Sequence, residues 1–331
     1  MNDTPDSKTD TTDTPDTLLY LADPYSQEAE YGETWREHLS RLAPDIPFRV
    51  WPDEVGDGDA AAAVRWALVW APPEGVLAGF PNLELVISMG AGTDHLHGDS
   101  AFPSGVKVVR MVEPTLTQKV AEHAVMSVLM AHRELPMYLD QQRRREWVQH
   151  ENFMVAADRR VGVLGMGPIG MAISEKLRDL GFPVTGWSRT PREIDGVLAL
   201  QGPVGLDVVF AESDILVLVL PNAPGTRHIL DVGRLVQMPR GASVVNVGRG
   251  TLIDEPALLS ALNCGHIASA VLDVYDEEPL PAESRFWDHP RVIVTPHIAG
   301  LTNPRTASEY VVAQVRRHQR GEELLYVAEG F

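Results

Sequence analysis

The chain has 331 residues, of which 44% are hydrophobic, and carries 28 Lys+Arg against 46 Asp+Glu, a formal net charge of −18. That length can fill two domains with full cores, and the acidic balance argues against nucleic acid or an anionic membrane as a partner held by net charge. A single cysteine, Cys264, excludes an intrachain disulfide and a cysteine zinc cluster.

Residues 1–16 are rich in Asp, Thr and Pro and are expected to form a disordered acidic tail. They lack the basic start and apolar core of a signal peptide. No apolar run reaches the roughly 18 residues of a membrane span, so a cytoplasmic protein is expected. Strand-like runs follow at 18–22, 48–51, 67–70, 85–88 and 106–110. A long helical pattern comes next, from 117 to about 129 and again from 134 to 147, with Val120, Ala124 and Val128 on one face. Arg143, Arg144 and Arg145 in its later part read as a solvated charged face. A second block of strands is expected at 160–164, 184–187, 215–220, 243–247, 270–274 and 292–295. Short apolar strands alternating with helical patterns predict parallel α/β sheets.

The second block opens on Val161-Gly162-Val163-Leu164-Gly165-Met166-Gly167-Pro168-Ile169-Gly170. An apolar strand running through Gly-x-Gly-x-x-Gly into a helix is the dinucleotide fingerprint. Gly165 permits a sharp turn, Gly167 lets the backbone approach a pyrophosphate, and Gly170 lets the helix pack on the strand. Free N–H groups at the helix N-terminus suit that anion. Pro168 has no N–H, so Ile169 supplies a donor in its place. Gly181 is expected to end this helix as a left-handed cap.

Three further strand ends carry groups able to do chemistry: Asn246-Val247-Gly248-Arg249-Gly250, Asp273-Val274-Tyr275-Asp276-Glu277-Glu278-Pro279 and Thr295-Pro296-His297-Ile298-Ala299-Gly300. Singly, Arg249 reads as a surface group, Glu278 as a loop carboxylate and His297 as a packed or capping histidine. Together they form a set. Arg249 is a permanently charged fork for a carboxylate. His297 exchanges a proton near neutral pH. Glu278 can pair with it, fix its tautomer and favour its protonated form. The remaining histidines, including His95, His97 and His123, read as structural, and no metal is expected.

These motifs resemble the D-isomer-specific 2-hydroxyacid dehydrogenases over nearly the whole chain after the tail. The resemblance is closest to the glyoxylate/hydroxypyruvate reductase A branch, through Ser88-Met89-Gly90-Ala91-Gly92-Thr93-Asp94, Arg110-Met111-Val112-Glu113-Pro114 and Pro279-Leu280-Pro281. It implies two doubly wound parallel-sheet α/β domains. A Rossmann dinucleotide domain (109–296) is inserted into a flavodoxin-like substrate domain (17–108 and 297–331), with a cleft between them. It implies Arg249, Glu278 and His297 as catalytic residues, with Arg249 and His297 also touching substrate. Met89, Gly90, Ala91 and Gly92 are implied to hold the substrate carboxylate through backbone N–H groups. Trp51 is implied to close over the substrate; a core tryptophan explains it as well. Leu220, Pro221, Val247, Gly248, Asp273 and Gly300 join Gly165, Met166, Gly167, Pro168, Ile169 and Gly170 as implied cofactor contacts. Many family members have Ala where this chain has Gly248, a change that keeps a small residue there.

An NAD enzyme usually carries Asp or Glu about 20 residues past the glycines, to hold the ribose. Here the strand ends in Trp187-Ser188-Arg189-Thr190-Pro191-Arg192. Ser188, Arg189 and Thr190 suit a 2′-phosphate instead, so NADPH is expected over NADH. The expected activity is reduction of a small 2-oxo acid, glyoxylate or hydroxypyruvate, by hydride transfer in a homodimer. The alternatives are another D-2-hydroxy acid as substrate, a dinucleotide-sensing corepressor-like protein, or a methyltransferase with a glycine-rich first loop. The Arg249–Glu278–His297 set speaks against the last two.

Overall fold

The computed structural model describes residues 15–23, 27–151, 153–190, 192–328 and 330–331. Most of the expected acidic tail, residues 1–14, lies outside them, as does Pro191. Two compact units result: the described residues up to Glu113 with Thr302–Phe331, and Pro114–Leu301. Both boundaries fall five residues later than expected from the sequence, at 113 against 108 and at 301 against 296. The first follows from Pro114, which starts a helix. The second follows from hydrogen bonds that tie the backbone of His297, Ile298 and Ala299 to Asp273. His297 therefore belongs to the second unit, a correction to the expected division.

In the first unit, strands β1 (Thr17–Ala22), β2 (Phe48–Val50), β3 (Val64–Trp70), β4 (Leu85–Ser88) and β5 (Lys107–Val109) form a sheet in the order β2-β1-β3-β4-β5. Every pairing is parallel. All six residues of β1 are buried, as a parallel strand covered on both faces requires. Helices Gly32–Leu42 and Pro304–Gln319 pack against each other in this unit. The edge at β5 is closed by the C-terminal segment. There Ala328 N–H donates to Val108 O at 2.8 Å and Arg110 N–H to Tyr326 O at 3.1 Å. An edge covered in this way offers no open ladder to another chain.

In the second unit, β6 (Val161–Leu164), β7 (Val184–Trp187), β8 (Leu198–Leu200), β9 (Ile215–Leu218), β10 (Ala242–Asn246), β11 (Ile267–Leu272) and β12 (Val292–Val294) form a sheet in the order β12-β11-β10-β9-β6-β7-β8. All its pairings are parallel too. The strand order reverses between β6 and β9, the place where open α/β sheets bind ligands at their carboxyl ends. Strands β6, β9 and β10 are buried throughout, which accounts for their unbroken apolar runs. Burying each Val or Leu there stabilises the unit by about 1.5–3 kcal/mol. Strand β8 has no counterpart in the sequence reading; it is a three-residue edge strand with Leu198 and Ala199 exposed.

Helix Pro168–Asp179 ends as expected. Gly181 has φ +91°, its N–H donates to Arg178 O, and Phe182 N–H reaches back to Leu177 O. The long pattern between the blocks becomes two helices, Pro114–His132 and Leu135–Arg144. The second stops short of Trp147 because Arg145 turns left-handed, at φ +58°. Arg144 pairs with Asp140 and Glu146 on an exposed face. No helix among the described residues is long and apolar enough to cross a membrane.

Candidate active site

The strands of the second sheet are parallel, so the carboxyl ends of β6, β10, β11 and β12 share one edge. The glycine turn, Asn246–Gly250, the segment after Leu272 and the segment after Val294 all leave from it.

In the glycine turn, two of the three glycines are forced by the fold and one is not. Gly165 has φ +111°, and a Cβ there would meet Val219 O at 2.8 Å. A Cβ on Gly170 would sit 1.7 Å from Gly165 O. Gly167 has ordinary extended backbone, φ −74° and ψ −174°, and a Cβ there would meet nothing within 4 Å. Packing and dihedral angle both tolerate a side chain at Gly167, so neither accounts for its glycine. It caps a 12-residue helix that has Pro168 at its start and no side-chain cap. The first N–H groups of that helix therefore remain for an anion. This cradle fits a dinucleotide pyrophosphate.

Other expected cofactor positions have varied surroundings. Met166 is 2% exposed and fills the space over Gly186, where a Cβ would come within 2.3 Å of its sulfur. Gly248 abuts the Leu220 backbone, with a Cβ 2.9 Å from Leu220 O, so this chain has no room for the alanine common at that position. Val247 is buried and Pro221 exposed. Gly300 lies against the helix Pro114–His132, where a Cβ would be 2.5 Å from Val120. Its glycine is explained by packing. At the end of β7, Arg189 and Thr190 are exposed, while the Ser188 hydroxyl donates to Thr190 O at 2.6 Å.

Arg249 is presented by a loop that its own sequence staples. Asn246 is fully buried; its amide nitrogen donates to Arg249 O at 2.8 Å, and its amide oxygen accepts from Gly248 N–H at 3.1 Å. A Cβ on Gly250 would fall 1.7 Å from the Tyr275 carbonyl carbon, which fixes the next turn. The half-buried Arg249 donates from Nη1 to Gly248 O. Asn246 lies in the quoted motif, but its stapling role had no local signal.

His297 Nδ1 and Glu278 Oε2 are 2.7 Å apart. The other Glu278 oxygen accepts from Tyr275 N–H at 2.8 Å, so the carboxylate is oriented on both sides. Burial pushes the Glu278 carboxyl up, but the His297 hydrogen bond and charge, the Tyr275 N–H and the Arg249 charge outweigh it and hold it below the ordinary carboxylate range. With Nδ1 committed to Glu278, Nε2 of His297 is the nitrogen left for proton exchange. His297 sits at φ +52°, a left-handed conformation that costs a non-glycine residue about 1–2 kcal/mol. Its N–H donates to Asp273 O at 2.8 Å.

Asp273, expected among the cofactor contacts, has its carboxylate turned into the protein. It is 1% exposed and accepts from the Thr295 hydroxyl (2.6 Å), Ile298 N–H (3.0 Å) and Ala299 N–H (2.9 Å). In this arrangement it shapes the His297 loop.

In the first unit, the loop after β4 is narrower as an anion nest than its sequence suggests. Met89 is buried and its N–H donates to Val69 O; Gly90 N–H reaches the Ser88 hydroxyl at 3.2 Å. Ser88 is fully buried and also donates to Gly92 O at 2.8 Å. The N–H groups of Ala91 and Gly92 are the two left for a carboxylate. Gly90 is needed by packing as well, since a Cβ would meet the Trp70 ring at 2.7 Å. Half-buried Trp51 packs on the core of the first unit. His95 lies on Trp70 and His97 on Phe331.

Residues 125–299 match the family model described as D-isomer specific 2-hydroxyacid dehydrogenase, NAD binding domain. The chain is 36% identical over 313 residues to glyoxylate/hydroxypyruvate reductase A of Yersinia enterocolitica, covering 91% of this chain and 96% of that protein. It resembles the crystal structure of a D-isomer specific 2-hydroxyacid dehydrogenase from Xanthobacter autotrophicus Py2 in complex with NADPH and MES. The TM-score is 0.88 and the identity 39%, over 95% of this chain and 98% of that one. It also resembles an NADPH-dependent glyoxylate/hydroxypyruvate reductase from Sinorhizobium meliloti in complex with NADP and sulfate, with TM-score 0.84, 31% identity and the same coverage. The chain belongs to the D-isomer specific 2-hydroxyacid dehydrogenases and is an NAD(P)-dependent oxidoreductase.

Proposed function

We propose that the chain reduces glyoxylate or hydroxypyruvate to the 2-hydroxy acid, with NADPH preferred to NADH. The observation that carries this reading is the 2.7 Å Glu278–His297 pair, with the Arg249 charge acting on it, on the same sheet edge as the glycine turn. A dinucleotide, when bound, supplies the hydride. His297 donates the proton from Nε2 to the oxygen of the reduced carbonyl, while Glu278 holds the ring and balances its charge. Arg249 binds the substrate carboxylate and polarises the neighbouring carbonyl. Ala91 and Gly92 offer a carboxylate two backbone N–H groups.

The glycine turn holds the pyrophosphate on the N–H groups after Gly167. Exposed Arg189 and the absence of a carboxylate at the end of β7 support reading of a 2′-phosphate. The names of the Yersinia and Sinorhizobium relatives support the same substrates, and the NADPH and NADP complexes the same cofactor.

We also infer a homodimer. Trp147 is 94% and Phe153 85% exposed, in the segment that follows helix Leu135–Arg144, and burial of such apolar surface favours a partner copy. The activity is tested by initial rates of NADPH and NADH oxidation across a panel of 2-oxo acids. Glyoxylate and hydroxypyruvate with NADPH should give the highest kcat/KM. No turnover of any 2-oxo acid would overturn the reading.

A further inference from the structure

We propose that His123 is a positioning residue for the reduction, acting on His297 through Thr295 and Asp273; this rests on His297 being the proton donor. His123 lies on the helix Pro114–His132, far from the catalytic segments in sequence, and its side chain is 9% exposed. Its Nε2 is 3.4 Å from the Thr295 hydroxyl and 3.8 Å from Asp273 Oδ1.

The Thr295 oxygen is 2.6 Å from the same carboxylate oxygen. A hydroxyl has one proton to give. The short contact assigns it to Asp273, which leaves a Thr295 lone pair to accept from His123 Nε2–H. The carboxylate in turn accepts from Ile298 and Ala299 N–H, the two residues after His297. His123 thus stands at the head of a chain of polar groups that ends on the backbone beside the catalytic ring.

Two observations give this chain a task. His297 sits in a left-handed conformation that its own side chain does not favour, so the surroundings must impose it. The same face of the helix also supports the loop apolarly, since Val120 and Leu116 meet Gly300. A hydrophobic residue at position 123 would preserve that apolar support. The histidine adds a donor to the Thr295 hydroxyl, which in turn donates to a carboxylate that is 1% exposed. Such a buried acceptor is costly to leave short of partners.

The test compares H123F, which keeps bulk and removes the donor, with H123Q, which keeps a donor at similar reach. T295V and the double variant H123F/T295V complete the cycle. The measurements are kcat and KM for glyoxylate with NADPH, NADPH affinity, and hydrogen exchange of the backbone amides of residues 297–300 in the free protein. H123F should lower kcat about tenfold, in line with loss of one buried hydrogen bond. NADPH affinity should hold, and exchange at Ile298 and Ala299 should quicken. H123Q should recover most of the lost kcat, and H123F/T295V should be no slower than T295V.

The proposal is overturned if H123F matches wild-type kcat and exchange, or if H123Q is as impaired as H123F. A wild-type protein with no 2-oxo acid turnover, or a fully active H297A, would instead defeat the reading on which it rests. The exchange measurement reports on the loop in either case.

Discussion

Gly167→Ala separates folding from cofactor binding within one turn. The added methyl meets no atom within 4 Å, and the backbone at that position is one alanine adopts freely. Replacing Gly by Ala stiffens the unfolded chain, a gain of about 0.4–1 kcal/mol. Alanine is a poorer N-cap than glycine, a loss of up to about 1 kcal/mol. The two nearly cancel, so the melting temperature should stay within about 4 °C of wild type. NADPH affinity should fall much further. Charge-assisted bonds from the turn are worth about 1.5–3 kcal/mol each, so displacing the pyrophosphate from one of them weakens binding by roughly 10- to 100-fold.

Gly170→Ala is the contrasting control: its methyl would lie 1.7 Å from Gly165 O, and the second unit should lose roughly 4 kcal/mol or more. Thermal denaturation and NADPH fluorescence titration measure the two quantities. A G167A protein that is stable and binds NADPH like wild type would refute the placement of the pyrophosphate.

Three further substitutions address the charged groups. Arg249→Lys keeps the charge and loses the fork, and kcat/KM for glyoxylate should drop about 10- to 100-fold with NADPH affinity retained; initial-rate kinetics and cofactor titration check both. Glu278→Gln should lower kcat for glyoxylate, because a neutral amide no longer balances charge on the His297 ring. Its effect on stability follows from the lowered Glu278 carboxyl: the stabilising contribution is present above the unfolded carboxylate value and is lost as pH falls through the lowered folded value. Melting curves of wild type and E278Q should therefore differ at neutral pH and converge in acid. Arg189→Ala should raise the NADPH Michaelis constant far more than the NADH one, and equal effects would show that exposed Arg189 does not read the phosphate.

Much of this architecture was legible because the determinants are local. Buried parallel strands such as β6 and β9 are unbroken apolar runs, and Gly181 announces a helix end through the one conformation it is needed for. Strand β8 escaped because three residues with two exposed carry no periodic signal. The segment after residue 144 reads as helix until the left-handed Arg145 breaks it.

The site divides in the same way. The motifs announce Arg249, Glu278 and His297, but not the groups that aim them. Asn246 and Ser88 act on backbone a few residues away, inside motifs whose chemistry lies elsewhere. The partners of His123 lie at positions 273 and 295, so nothing near it in sequence could reveal them. Glycines carry a second explanation: a Cβ on Gly90 or Gly300 would meet Trp70 or Val120, so packing alone accounts for both and the residue type by itself does not mark a ligand contact.

The central claim is that His297, held by Glu278, delivers the proton that accompanies hydride transfer. Its most direct test is a single-turnover experiment with NADPH already bound, mixing glyoxylate with wild-type protein and with H297A and following loss of the reduced cofactor. The H297A rate should fall by at least about 100-fold while NADPH affinity is unchanged, the usual loss for a general acid. An H297A chemical step close to the wild-type rate would contradict the account.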